Sequence, residues 1–571
     1  MTKRFSQALI AVLFICSVHP LVVSQQRPQS PVGSAGRPTS AAPGNGRRIS
    51  RGPSPAIPLI ERDFDEALKV IQENYVEGPK LDYSSVFKSS IIGMLRSLDP
   101  HSNYYDREEY EELKTDQRSE YFGIGASIQN YIISEKPDTF ITSTFHNAPA
   151  SKAGLRFGDR IVAVDGMPMT GKASLDVRDK IRGPRGSSVK ITIERAADRR
   201  MQTVEIIRDA VPQPSVPDAY LLKPGVGYVD MTRGFNYTTA DELQDALLSL
   251  HSKGATAVVL DLRNNPGGFL DQAIRVAEAF LPSGQLILTQ KGRNGLRDNI
   301  YKSKNRSADP LPLVILINES TASASEIVAG AMQDHDRALI VGENSFGKGL
   351  VQSIIPLDYG GGLTLTSAKY YTPSGRLIQR DYSDNGFYDY YTQGGSKRLD
   401  QKAEELKPSG PEKKTDNGRK VYGGGGIAPD ETVPARTIAT AQRRLLSPMF
   451  AFSRELVNGR VPGVPQYRVG GINFEKELQP TDFPINDHVF KAFTEFVSQH
   501  LVFSSLSPLV ARNRSFVELQ LRYNIVTAAY GRQMADRVFI TTDDPQVERS
   551  VASMPRARDL AMGATRRQVQ P

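Results

Sequence analysis

Between Ile317 and Gln352 the chain reads INESTASASEIVAGAMQDHDRALIVGENSFGKGLVQ, and it places serines and one lysine where they can work together. A serine hydroxyl becomes a nucleophile when a neighbouring group takes its proton, and a lysine amine does this when burial lowers its pKa. Three serines lie in the small-residue run Ser320-Thr321-Ala322-Ser323-Ala324-Ser325, and chemistry alone does not choose among them. Lys348 stands between Gly347 and Gly349, where backbone can approach it closely. The single cysteine, Cys16, and seven histidines without an HExxH spacing argue against a thiol nucleophile, a catalytic metal or any cofactor. A rival reading comes from Gly342–Lys348, which matches GxxxxGK after a strand, as in a phosphate-binding loop. Gly349 stands where that loop needs Ser or Thr, which weakens nucleotide binding.

These residues need particular elements to hold them. Leu313–Ile317 is apolar and β-branched, which predicts a buried strand, and a helical pattern starts at Glu326 with Ile327, Val328, Ala331 and Met332. A strand entering a helix through a tight turn can present a serine oxygen. Ala338–Val341 predicts a second strand leading into the Lys348 loop. Upstream, strands at Val226–Asp230 and Ala257–Leu262 alternate with helices at Ala240–Leu250 and Leu270–Phe280, the pattern of an α/β core. Leu363–Tyr371 reads as a further strand.

The Ser-to-Lys run resembles the tail-specific, or C-terminal processing, serine proteases, which use a Ser–Lys dyad in place of Ser–His–Asp. In that family the serine lies in a small-residue turn, the lysine follows 25 residues later and a glutamine four beyond it. The resemblance implies Ser323 as nucleophile, Lys348 as general base and Gln352, one helical turn on, as the amine's partner; its spacing sets aside Ser320 and Ser325. Asp261–Gly268, DLRNNPGG, resembles the family's second signature and implies an oxyanion hole built from the N–H groups of Gly268 (alternatively Gly267) and Ala324. Tyr121–Gly125, Ala148–Leu155 and Gly158–Ile161 look like a PDZ domain, with Tyr121, Phe122, Gly123, Ile124 and Gly125 implied to receive a substrate tail as an added strand. Its strands are expected at 124–131, 139–144, 160–164, 189–194 and 203–208. Arg182 and Arg185, in the loop 181–186, read as solvated.

The formal charge is +8, but Lys3, Arg4, Arg27, Arg37, Arg47, Arg48 and Arg51 stand in a first stretch of 60 residues without acids. The remainder holds 64 basic against 63 acidic residues, so a nucleic-acid role loses its support. Lys3-Arg4 followed by apolar Ala8–Val18 reads as a signal for export, and an uncleaved form would anchor the protein in a membrane. Residues 25–58, rich in Pro, Ser, Gly and Arg, predict a disordered tether.

The expected architecture is therefore α/β and α+β multidomain: signal 1–24, tether 25–58, helical N-terminal region 59–115, β-rich PDZ domain 116–210, and α/β (crotonase-like) protease core 211–437. A helical extension, 438–571, completes it. Pro100 is expected to stop the N-terminal helices, His101 to cap or pack, and 381–426, Gly- and Lys-rich, to form an exposed loop. The resemblance implies an exported, periplasmic endopeptidase acting on polypeptides with accessible C-termini, with homo-oligomerisation or an adaptor as further partners. A catalytically dead PDZ scaffold is the alternative; the presence of Ser323, Lys348 and Gln352 together speaks against it.

Overall fold

A computed structural model of the protein describes residues 57–116, 120–382, 390–391 and 410–568. The expected signal and residues 25–56 of the tether lie outside them. Ile57 and Pro58, expected in the tether, instead begin a helix, Ile57–Asn74, where Pro58 in the first turn costs no hydrogen bond.

The centre of the molecule is a six-stranded sheet in the order Asp218–Lys223, Val226–Asp230, Ala257–Asp261, Leu313–Ile317, Ala338–Gly342, Glu431–Thr432. All neighbours are parallel except the first pair. The three middle strands are buried at every residue, as uninterrupted Val, Ile and Leu runs require of a sheet covered on both faces. Helices Thr239–Ser252, Leu270–Phe280 and Ala324–Asp334 cover one face through Leu243, Leu247, Val276, Phe280, Val328 and Met332. Val547, Met554 and Ala557 cover the other.

A second, antiparallel sheet stands beside it. Gly362–Tyr371 pairs with Leu286–Gly292 and Leu350–Pro356, and also with Asn103–Tyr105. That three-residue strand corrects the purely helical reading of the N-terminal region, which lends the core a strand between helices Tyr83–Arg96 and Arg107–Asp116. Of the expected loop 381–426, residues 383–389 and 392–409 lie outside the described residues, and the described end departs from expectation. Glu412–Lys414 and Lys420–Tyr422 form a hairpin, and Arg419 anchors it by ion pairs to Asp336 and Asp430, both 2.5 Å. Polar composition hid this, because the hairpin is anchored by charge pairs, with Val421 as its one buried apolar side chain in the two strands.

The PDZ-like sheet runs Ala126–Ile132, Pro137–Thr144, Arg160–Val164, Ser188–Glu194, Met201–Ile207, with helix Ser174–Ile181 packed beneath it through Val177 and Ile181. Arg185 forms an exposed ion pair with Asp209 at 2.8 Å.

Beyond residue 438 the structure is helical and touches both other parts. Phe450, in helix Thr440–Val457, stacks on Tyr131 with ring centroids 3.8 Å apart and packs against Phe140 and Phe157 of the PDZ-like domain. Arg454 donates to the Gly158 carbonyl at 2.7 Å and to Glu194 at 3.0 Å. The helical run breaks at Ser553, between Pro545–Ala552 and Met554–Gln568, and Pro555 sits in the first turn of the second helix. Arg537 grips Asp218 of the central sheet bidentately, both contacts 2.7 Å and both side chains buried. Arg537→Ala strands that carboxylate, and thermal and denaturant unfolding are expected to read a loss of about 3–5 kcal/mol.

Candidate active site

Three loops leave the carboxyl ends of three adjacent parallel strands, where open α/β sheets place ligands. They are the DLRNNPGG loop after Ala257–Asp261, the serine turn after Leu313–Ile317 and the Lys348 loop after Ala338–Gly342. Backbone bonds tie them together. Ala322 N–H donates to the Asn265 carbonyl at 2.9 Å, and Phe346 N–H to the Thr321 carbonyl at 2.8 Å.

Ser323 is the N-cap of the helix Ala324–Asp334, at φ 56°, ψ −115°. A non-glycine residue there costs on the order of 1–3 kcal/mol, and such strain lifts the serine out of the strand-to-helix turn. Ser325 points inward, its hydroxyl on the Asn265 carbonyl at 3.2 Å, whereas Ser323 keeps partial exposure.

Glu326 holds the turn in place. Its fully buried carboxylate accepts from Ser323 N–H (2.8 Å), Lys348 N–H (2.8 Å), Gly347 N–H (2.7 Å) and Ser345 Oγ (2.5 Å). Burial pushes its pKa up, and those four donors oppose the rise. Tyr370 Oη makes a second link, lying 3.0 Å from the Ser323 carbonyl and 2.7 Å from that of Lys348. The serine turn and the lysine loop are thus bolted to each other twice. Ser323-x-x-Glu326 has the spacing of a capping box, so Glu326 could have been found from sequence; Tyr370, 47 residues away from Ser323, could not.

The Lys348 amine donates to Gln352 Oε1 at 3.0 Å, and burial brings its pKa down to about 8 against weaker opposing pulls from Glu326 and Asp99. Gln352 is not one helical turn from Lys348. It lies on the strand Leu350–Pro356, at a bulge between Val351 and Gln352 that redirects its side chain toward the lysine. Its amide nitrogen donates to the His101 carbonyl at 2.6 Å. His101 therefore belongs to the lysine's surroundings, beyond the capping or packing expected of it. Asp99 shapes its turn by accepting from His101 N–H and Ser102 N–H, both 2.8 Å, and Ser102 Oγ in turn accepts from Thr366 N–H at 3.1 Å.

Gly267 and Gly268 face the serine turn. A Cβ on Gly267 would fall 2.7 Å from Ala324 N and 2.8 Å from Ser323 Cβ, and one on Gly268 would fall 2.0 Å from the Phe235 carbonyl oxygen. Gly267 N–H is engaged by Asn265 Oδ1 at 2.9 Å. Among the described residues, Gly268 N–H and Ala324 N–H make no hydrogen bond. Arg263, at the head of this loop, is clasped by Asp261 and reaches Asp544 (2.8 Å) and Gln546 (2.9 Å) of the C-terminal helices.

Of the implied tail-binding stretch, Tyr121, Phe122 and Gly123 already pair with Val211, Ala210 and Asp209. Only Ile124 and Gly125 lead into a strand, Ala126–Ile132, that is paired on one side alone, to Pro137–Thr144. The available edge is therefore 126–132, a few residues beyond the stretch expected. The GxxxxGK match fails as a phosphate cradle. A strand follows it in place of a helix, and the N–H groups of Gly347 and Lys348 are held by Glu326.

The chain is also similar to known proteins. Residues 225–384 match peptidase family S41 and residues 146–195 match a PDZ domain. A carboxy-terminal-processing protease of Bartonella bacilliformis is 38% identical over 322 residues, 55% of this chain and 72% of that one. The carboxy-terminal processing protease CtpA of Bacillus subtilis is 34% identical over 318 residues, 56% of this chain and 66% of that one. Among solved structures, a photosystem II D1 C-terminal processing protease is 30% identical, the match spanning 55% of this chain and 88% of that one at a TM-score of 0.33. The chain belongs to the carboxy-terminal-processing proteases of peptidase family S41, serine-type peptidases that carry a PDZ domain.

Proposed function

We propose that the protein is an endopeptidase in which Ser323 is the nucleophile and Lys348 the general base. One observation carries this reading: the Lys348 amine is buried against a neutral partner, Gln352, and forms no ion pair with any described residue. At a pKa of about 8, roughly one molecule in ten holds a neutral amine at pH 7, against about one in three thousand for an ordinary lysine. The amine takes the Ser323 proton as the oxygen adds to a peptide carbonyl. It passes that proton to the leaving nitrogen as the C–N bond breaks, and then activates the water that releases the acyl group. Gln352 directs the amine. The N–H groups of Gly268 and Ala324, left without protein partners among the described residues, receive the oxyanion, and the engagement of Gly267 N–H by Asn265 favours Gly268 over it.

The substrates in this reading are exported polypeptides caught by their C-terminal ends. An extended tail adds to the open edge of Ala126–Ile132, with its carboxylate near Ile124 and Gly125. The domains are read as PDZ 116–210, a crotonase-like protease core 211–437 and an extension 438–571, working in the periplasm. A homo-oligomer is supported by helix Ile57–Asn74, which buries none of its residues and exposes Ile57, Ile60, Phe64 and Ile71.

The test is cleavage of an unstructured protein ending in a free apolar carboxylate, compared with the same polypeptide amidated at its C-terminus. Wild type is expected to cut the first faster by about 10-fold or more, the worth of the lost charged contact, and Ser323→Ala to cut neither. Equal rates on the two substrates would remove tail capture, and cleavage by Ser323→Ala would remove the assigned nucleophile.

A further inference from the structure

One buried aromatic residue near the site has no part in the mechanism above. Tyr390 is 1% exposed, and its hydroxyl lies 2.7 Å from His101 Nε2, 289 positions away in sequence. Gln379 Nε2 donates to the same hydroxyl at 3.0 Å. The Tyr390 hydroxyl and His101 Nε2 are therefore joined by one hydrogen bond, and the Gln379 amide holds the same hydroxyl from a second direction. The imidazole is neutral, because burial and the Lys348 charge hold its pKa down at about 2.

Both partners of Tyr390 lead to Lys348. The His101 carbonyl accepts from Gln352, whose other amide atom accepts from the lysine amine. Gln379 Oε1 accepts from Gly349 N–H at 2.8 Å, the residue directly after Lys348. The Tyr390 ring stands edge-on to Phe346, two residues before Lys348, with centroids 5.5 Å apart at 90°. Tyr391, next in sequence, donates from its hydroxyl to the Pro100 carbonyl and so grips the His101 turn from its other side.

We propose that Tyr390 is a positioning residue for the lysine base, acting through His101 on Gln352 and through Gln379 on the Lys348 loop. It touches neither the serine nor the amine. Its hydroxyl is the point where the two series of hydrogen bonds meet, so removing that one oxygen loosens the partner that aims the amine and the loop that carries it. Loosening admits water, which stabilises the ammonium and moves the lysine toward its ordinary range. The proposal rests on the reading of Lys348 as the base.

The experiment is the pH profile of kcat/KM for Tyr390→Phe, which keeps the ring, and for His101→Asn, which removes the imidazole from the same contact. Groups facing Lys348 are Glu326 from the serine helix, Asp99 and His101 from the turn before Asn103, and Tyr370 from the strand Gly362–Tyr371. Wild type is expected to gain activity through a pKa of about 8. In both variants that limb should move up by about one unit, with a corresponding ~10-fold loss at pH 7 and an unchanged KM. A purely structural tyrosine would lower the melting temperature and leave the limb in place. A limb coincident with wild type in the variant that folds would overturn the proposal. Lys348→Ala, run alongside, separates the two failures. If it remains active, Lys348 is not the base and both readings fall; if it is dead while the limb is unmoved, only the role of Tyr390 falls.

Discussion

Lys348→Ala, Lys348→Arg and Ser323→Ala are each expected to lower kcat/KM by at least about 10⁴-fold, and combining them to cost little more, because the two groups act as one unit. The arginine variant is the most informative of the three. It keeps a long cationic side chain in the same loop but never gives up its proton, so it isolates basicity from charge and bulk. The sign of the pH dependence follows from burial, which lowers the lysine pKa to about 8. Below that value the amine is protonated and inert, so wild-type kcat/KM should rise about tenfold per pH unit and level off above it. Lys348→Arg should show a flat residual with no such limb. Steady-state rates on a tailed substrate between about pH 6 and 10 check this, and a bell centred below 7 would point to a carboxylate or imidazole base instead.

Glu326→Gln is expected to be nearly as damaging as Glu326→Ala, with kcat down by about 10²–10³-fold while KM for a tailed substrate holds. The reason lies in the four donors around the carboxylate. An amide offers one acceptor oxygen and turns its NH₂ toward two groups that also donate. At least one buried N–H group then loses its partner, and the common anchor of the serine turn and lysine loop is weakened. Glu326→Asp leaves the charge but shortens the reach, and should recover only part of the rate. Tail capture, as proposed for the PDZ domain, should not notice. Parallel kcat, KM and melting curves decide it; wild-type kcat in Glu326→Gln would show that Tyr370 alone suffices to hold the two loops.

The contrast between these residues explains what the sequence could reveal. Ser323, Glu326 and Lys348 occupy one short stretch in which strand, turn, helix and strand each carry strong local signals, so their elements appear where periodicity places them. Spacing pairs Gln352 with the lysine but puts it on the wrong kind of element, since four residues fit one turn of helix and equally a bulged strand. His101, Tyr370, Gln379 and Tyr390 reach the site only through tertiary contact, and nothing in a run such as LDPHS indicates what its carbonyl will meet. The Asn103–Tyr105 strand is too short to show alternation. A glycine turn at Gly125, φ 72°, separates Glu120–Gly123, paired with Asp209–Pro212, from Ala126–Ile132, paired with Pro137–Thr144, a division that a strand read from 124 to 131 does not show. The 412–422 hairpin escapes detection for another reason: its anchor is Arg419 between two aspartates, and charged residues read as solvent-facing unless their partners are known.

The stacking of Phe450 on Tyr131, and the grip of Arg454 on Gly158 and Glu194, bear on how interchangeable the parts of this protein are. PDZ domains are commonly thought of as cassettes, joined to their neighbours by linkers and free to be exchanged. Here the back of the domain is cut to fit one particular helix. A Cβ at position 158 would fall 2.9 Å from Arg454 Cγ, and Phe140 and Phe157 close the rest of the seam. A foreign cassette grafted between residues 120 and 212 would have to reproduce that back surface as well as its own peptide groove. Under the proposed tail capture, retargeting is therefore a matter of rewriting side chains within the resident domain, since the domain and the C-terminal helices form a single casting.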